Sequence, residues 1–291
     1  MSRLTAIMSG KGGVGKTTLT AALGITLARM GKKVLLLDGD LGLCNLDLIL
    51  GVSDRVRFNM YDMALGKCFS DEVIVPVETN LDFMAGSSEY TWDTVFEGAV
   101  DTVLEDMDGQ YDYILLDCPA GLGRGITYAE THANDAIIVQ VPTRSSERDA
   151  HRLKKELSGK IPVWIIGNEF VWNDEQFLSP SDFVRSVDVR DLLGIVPRTV
   201  KAGTLSNQGK FGTNSDWGIF GEAMRIVAKN YVHFRFYPQS TWNKLIQQAR
   251  TEETPADSSV NKKKQQEKKS LLAHPWPPDG YTWSVAGTSW R

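Results

Sequence analysis

Nine residues, Gly10 to Thr18, read G-K-G-G-V-G-K-T-T and restrict this chain more than any other stretch of it. They satisfy the spacing G-x-x-x-x-G-K-[ST], with Gly10, Gly15, Lys16 and Thr17 at the fixed positions. Upstream, Leu4-Thr5-Ala6-Ile7-Met8 reads as a short apolar strand. Downstream, Leu19 to Met30 is rich in Ala and Leu, lacks proline and stops at Gly31, the pattern of a helix with a glycine terminus. In a strand–loop–helix context, Gly10, Gly12, Gly13 and Gly15 let successive backbone N–H groups converge on phosphate oxygens without Cβ clashes. The helix N-terminus adds partial positive charge where the anion sits. Val14 and Thr18 complete the cradle. Lys16 is expected to reach the β- and γ-phosphates, and Thr17 to place its hydroxyl on Mg²⁺.

The rest of the first 250 residues alternates apolar strands with helical stretches. Val34–Leu37, Leu81–Met84, Tyr113–Leu116, Ala136–Val141, Val163–Ile166 and Gly194–Val196 read as strands. Helical spacing is expected over Thr91–Met107 (Trp92, Val95, Phe96, Ala99, Val103, Leu104), around Glu147–Leu157 and near Phe220–Lys229. Near-continuous apolar strands separated by helices predict an α/β fold, a parallel twisted sheet with helices on both faces. Ligands in such sheets sit beyond the carboxyl ends of the strands. The glycine loop, Asp38/Asp40 and Asp117 all fall at such ends, which points to one shared site.

Asp117 ends the run Tyr113-Ile114-Leu115-Leu116, the arrangement by which a rigid strand delivers one carboxylate to a magnesium shell. Pro119, Ala120 and Gly121 follow as a turn whose backbone can sense a γ-phosphate. Asp38-Gly39-Asp40 ends the second strand. Either carboxylate there can orient a water for in-line attack, because phosphoryl transfer depends mostly on positioning and charge stabilisation. Lys11 is a second cation in the loop. If its stem points away from its own nucleotide it can insert into a partner's site, as an arginine finger does in trans, making hydrolysis dimer-dependent.

Composition narrows the field. With 42% hydrophobic residues the 291-residue chain can fill a sizeable core. A formal net charge of −4 argues against wholesale nucleic-acid binding. Cys44, Cys68 and Cys118 have neither disulfide nor metal spacing, which suits a reducing cytoplasm. No leader is expected before the first strand, and no apolar run approaches the ~18 residues of a membrane span.

The signature K-G-G-x-G-K-[ST], here Lys11 to Thr17, resembles that of the deviant Walker A ATPases, the MinD/ParA family, and most resembles its septum-site-determining branch. Asp38 to Asp47 matches D-x-D-x-G-L-x-N-L-D, including Asn45. Asp117 to Gly121 matches the D-x-P-A-G switch, Ser145-Ser146-Glu147-Arg148-Asp149 resembles the S-S-V-R-D element, Ser206 to Gly209 resembles S-N-Q-G, and Phe234-Arg235-Phe236 has a counterpart just before that branch's membrane helix. The resemblance covers residues 1 to about 250. It implies Mg²⁺-ATP hydrolysis in an ATP-sandwiched homodimer, with Lys11 reaching across, Asp40 as the catalytic carboxylate, Asp149 engaging Lys11 and Asn168 reading adenine. It implies an activator of the MinE type, a division-site-positioning role, and a cytoplasmic protein peripheral to the inner membrane face. Cargo positioning of the ParA or flagellar-placement kind, or a nucleotide-gated adaptor, are the competing readings.

The expected domain runs over 1–238. In 239–250, Trp242, Leu245, Ile246 and Ala249 recur at i, i+3, i+4 and i+7, one stripe of a short helix. This stripe lies where the branch carries its membrane-targeting helix, and it fits either an anionic membrane surface or the flank of the domain. Residues 251–291 read as a Lys-rich disordered linker followed by a Trp/Pro-rich tail, suited to docking in polyproline II form or to lipid headgroups.

Overall fold

The computed structural model describes residues 1–95, 98–121, 123–233 and 237–251. Residues 1–250 form one compact unit. The expectations for 252–291 and for Phe234-Arg235-Phe236 lie outside the described residues.

Eight strands form one sheet: β1 (Arg3–Ser9), β2 (Val34–Asp38), β3 (Ile74–Glu78), β4 (Leu81–Met84), β5 (Tyr113–Ala120), β6 (Asp135–Gln140), β7 (Val163–Phe170) and β8 (Leu192–Pro197). Their order is β3-β4-β2-β5-β1-β6-β7-β8. Every pairing is parallel except β3 with β4. Strand β3 escaped the sequence reading because Pro76 interrupts it, and a proline, having no N–H for the ladder, is tolerated at such an edge.

The helices are α1 (Lys16–Arg29), α2 (Leu46–Leu50), α3 (Met60–Ala64), α4 (Ser70–Val73), α5 (Ala99–Met107), α6 (Arg124–His132), α7 (Arg144–Leu157), α8 (Pro180–Ser186), α9 (Val200–Asn207) and α10 (Gly218–His233), followed by α11 over 239–251. Residues alternate between the two faces of the sheet as the strand period of two requires. Ile7, Leu36, Leu115 and Ile137 join a core with α1 and α10, whereas Met8, Leu37, Leu116 and Ile138 join a second core with α5 and α7. Helix α1 is buried almost all round, so its sequence lacks a polar stripe.

One expectation is corrected, and one open choice is narrowed. The helix expected from Thr91 starts only at Ala99, because residues 91–95 turn back on themselves, with the N–H groups of Thr94 and Val95 donating to the Thr91 carbonyl, and because Gly98 caps the helix at φ +84°. The apolar stripe of 239–250, left open between a membrane surface and the flank of the domain, faces the protein. Trp242, Leu245 and Ile246 are 3%, 2% and 1% exposed and belong to the α1–α10 core. A Cβ on Gly194 of β8 would lie 2.4 Å from the Trp242 ring, so the indole occupies the space that this glycine leaves open. The segment 239–250 thus packs as the last layer of this fold.

Candidate nucleotide site

The register of the sheet builds the site. Asp38 of β2 lies opposite Asp117 of β5, and Ile7 of β1 lies opposite Asp117 on the other side. The loop after β1, the turn after β2 and the end of β5 therefore meet at one rim.

The loop is shaped by two left-handed glycines, Gly13 at φ +77° and Gly15 at φ +83°, a region costly for any residue with a Cβ. Gly15 is also the N-cap of α1. A Cβ at Gly15 would fall 2.4 Å from Asn168 Nδ2, and one at Gly10 would fall 2.6 Å from Asp149 Cβ. Both glycines are thus required by close packing from behind. Gly12 and Gly13 have nothing within 4 Å, leaving the loop's outer side open. Val14 anchors the loop by burying its side chain in the core.

Asp117 is fully buried and receives three partners. Thr17 Oγ1 donates to its Oδ2 at 2.8 Å, Thr20 Oγ1 donates to its Oδ1 at 2.8 Å, and Lys16 Nζ lies 2.8 Å from Oδ1. Thr20 escaped the sequence reading, although it stands one turn beyond Lys16 in K-T-T-L-T. The Lys16 ammonium is buried, forms an ion pair with Asp117, and approaches Asp40 Oδ2 at 3.8 Å. Burial pulls its pKa down, but Asp117 and Asp40 outweigh that and raise it overall, so Lys16 stays charged.

The two carboxylates after β2 differ sharply. Asp38 is 1% exposed, and both its oxygens accept backbone N–H groups, from Asp40 and from Leu46, each at 3.1 Å. Burial, reinforced by the charge of Asp117, pushes its carboxyl up to about 7. Asp40 is half-buried; burial raises its pKa while Lys16 opposes the rise. Of the pair, Asp40 is the carboxylate that reaches Lys16 and is not consumed by the turn.

The remaining expected residues fall around the same rim. Lys11 is exposed and makes no ion pair among those found for the described residues. Asp149, on the first turns of α7, packs against Gly10 next to it. Asn45 is exposed at the start of α2, and Gly121 donates its N–H to the Ser9 carbonyl, tying the turn after β5 to β1. Asn168 sits below the loop, its amide nitrogen donating to the Val14 carbonyl at 2.9 Å. That nitrogen is committed to holding the loop, a duty the sequence did not reveal.

The residues fit a magnesium-bound polyphosphate. A buried ammonium has three N–H donors, and with one close carboxylate, Asp117, it keeps donors to spare for a phosphate. Thr17 and Asp117 supply hard oxygen donors. Among the described residues no group of three or more His, Cys, Asp or Glu could hold a metal by itself. That is the expected arrangement for Mg²⁺, which is held by one or two protein oxygens together with substrate phosphates.

Comparison with known proteins agrees with this geometry. The family model described as an AAA domain matches residues 2–155. The septum site-determining protein MinD of Synechocystis sp. is 38% identical over 218 residues, spanning 72% of this chain and 81% of that one. This chain belongs to the MinD/ParA family and is most like MinD. MinD of Bacillus subtilis is 33% identical over 222 residues, 72% of this chain and 81% of its own. Among solved structures, MinD of the Aquifex aeolicus MinC:MinD complex superposes with a TM-score of 0.71 at 32% identity, covering 81% of this chain and 98% of that one. Pyrococcus horikoshii MinD, solved with Mg-ADP, gives 0.70 at 30% identity over 80% and 97%. As a family member this MinD-like chain is an ATPase. No helix of the described residues is long and apolar enough to cross a membrane.

Proposed function

We propose that this MinD-like ATPase hydrolyses ATP to ADP and phosphate between two copies of the chain, and that nucleotide state switches its partner association to position the division site. The observation that carries this reading is the buried Lys16 ammonium, short of hydrogen bonds, held beside Asp117 and Asp40 under an open glycine loop.

In this mechanism the loop N–H groups and Lys16 hold the β- and γ-phosphates. Thr17 and Asp117 would hold Mg²⁺, whose charge offsets that of the phosphates when bound. Asp117 also keeps Lys16 charged and in place. Asp40 orients the attacking water, a role closed to Asp38 because its oxygens are taken by the turn's own N–H groups. Lys11, exposed on the crest of the loop, enters the site of the second copy and stabilises charge developing in the transition state. Asp149, beside Gly10, engages the incoming Lys11. An activator of the MinE type would act on this dimer.

Lys16→Ala is expected to abolish turnover. Lys11→Ala is expected to leave the monomer folded and to remove ATP-driven dimerisation, read by light scattering with ATP and with ADP. Unchanged ATPase and an unchanged dimer population in Lys11→Ala would refute the trans-acting lysine.

A further inference from the structure

The turn that carries Asp40 is tethered from outside the phosphate site. Gly39, between Asp38 and Asp40, is held at both ends of its peptide units. Its N–H donates to the backbone carbonyl of Asp117 at 2.9 Å, and its carbonyl accepts the indole Nε1–H of Trp92 at 2.7 Å. Trp92 belongs to the turns that replaced the expected start of α5; the sequence placed it on a helical stripe and gave no sign of its contact with Gly39.

The same indole leans on α6. Its ring centroid lies 5.2 Å from that of Tyr128. Tyr128 is fixed in turn, its hydroxyl donating to Asp101 of α5 at 2.7 Å and its ring stacking on His132 at 4.3 Å. Helix α6 begins three residues beyond Gly121, the end of the turn that follows Asp117. Trp92 therefore touches the backbone next to Asp40 with its Nε1–H edge and packs at a tilt on Tyr128 of α6, the helix that follows the Pro119–Gly121 turn. A groove of about 410 Å³ between α5 and α6, lined by Trp92, Val95 and Tyr128, leaves the half-buried ring room to change its surroundings.

We propose that Trp92 is a positioning residue for ATP hydrolysis, a clasp that fixes the Gly39 carbonyl and couples the Asp40 turn to α6 through Tyr128. The proposal rests on the reading in which Asp40 orients water. Asp40 lies two residues past the end of β2, held by turn hydrogen bonds, its N–H donating to Asp38 and its carbonyl accepting from Leu43 and Cys44, and the Trp92 bond to Gly39 adds a tether from outside that turn. The indole donor is also a satisfied polar group in an apolar setting, as a half-buried tryptophan requires.

The test is Trp92→Phe, which keeps an aromatic ring and deletes the N–H donor. Trp92→Phe is expected to lower kcat roughly five-fold, the weight of one such hydrogen bond, with KM for ATP unchanged because the phosphate loop is untouched. In an Asp40→Ala background the same substitution is expected to add nothing, since Trp92 acts through Asp40. The change in tryptophan emission on adding ATP and magnesium is expected to shrink in Trp92→Phe. Unchanged kcat, an additive loss in the Asp40→Ala background, or a lowered melting temperature accompanied by equal losses in kcat and KM would each overturn the clasp. Lys16→Ala, measured in parallel, separates the two levels. Full turnover in Lys16→Ala sinks the hydrolysis reading and the clasp with it, whereas dead Lys16→Ala with parental Trp92→Phe sinks the clasp alone.

Discussion

Trp242→Ala tests whether residues 239–250 belong to the fold. The Trp242 side chain is 3% exposed, fills the space over Gly194 and meets Tyr237 edge-on, with ring centroids 6.5 Å apart. A buried tryptophan removes roughly 150–250 Å² from water. At about 25 cal/mol per Å² that corresponds to about 4–6 kcal/mol, an upper bound that agrees with the ~3–5 kcal/mol typical of Trp→Ala in cores. For a unit of this size 1 kcal/mol shifts the melting temperature by about 2–4 °C. Trp242→Ala is therefore expected to lower the midpoint by about 6–20 °C in circular-dichroism melts of the full chain. Gly194 supplies an internal check. Gly194→Ala alone forces its methyl group against the indole and Val227, and is expected to destabilise; in the Trp242→Ala background it fills the vacated space and costs far less, a coupling of about 1–3 kcal/mol. Vesicle co-sedimentation with ATP, on anionic liposomes, decides between the two uses of the stripe. A Trp242→Ala chain that melts like the parent yet loses ATP-dependent sedimentation would show the stripe to be an anchor and refute its place in the core.

Other expectations follow from the same geometry. Gly209, at φ +59°, lies where a Cβ would meet the Leu48 carbonyl oxygen at 2.7 Å and Gly51 Cα at 2.9 Å, so Gly209→Ala should cost at least ~1–3 kcal/mol in urea melts; a parental midpoint would mean that α2 and α9 do not meet this way. Burial pushes the thiols of Cys44 and Cys118 up to about 12 and raises that of Cys68, so native protein at pH 8 should react slowly with iodoacetamide; rapid labelling of any one of the three would contradict its placement. The Asp38 carboxyl, held near 7 against an ordinary value of 3.8, keeps its proton in the folded state after the unfolded chain has lost it. Its contribution to stability is therefore complete below about pH 4, falls as pH rises to 7 and is level above. Nucleotide- and magnesium-free Asp38→Asn should gain on the parent by about 1.4 kcal/mol per pH unit between pH 5 and 6, and a flat difference across that window would place the Asp38 pKa near its ordinary value.

Much of this protein was legible before any fold was known, and the reason is locality. The phosphate loop needs glycines, a lysine and a threonine at fixed spacing on one strand–turn–helix, so nine consecutive residues disclose it. Apolar runs disclose seven of the eight strands for the same reason: a strand buried on both faces writes its burial into its own residues. Where several sequences satisfy one local pattern, the chain itself was silent. Trp242, Leu245 and Ile246 make the same stripe whether it meets lipid or protein, and only the gap over Gly194 decides in favour of protein. Asp38 and Asp40 are alike in sequence, yet the turn's N–H groups occupy one and leave the other beside Lys16. Thr20 on Asp117, Asn168 beneath Val14 and Trp92 on Gly39 are contacts across 53 to 154 positions of chain. Such contacts carry no periodicity for a sequence to display, and they come into being only when the parallel sheet brings the ends of β1, β2, β5 and β7 to one rim.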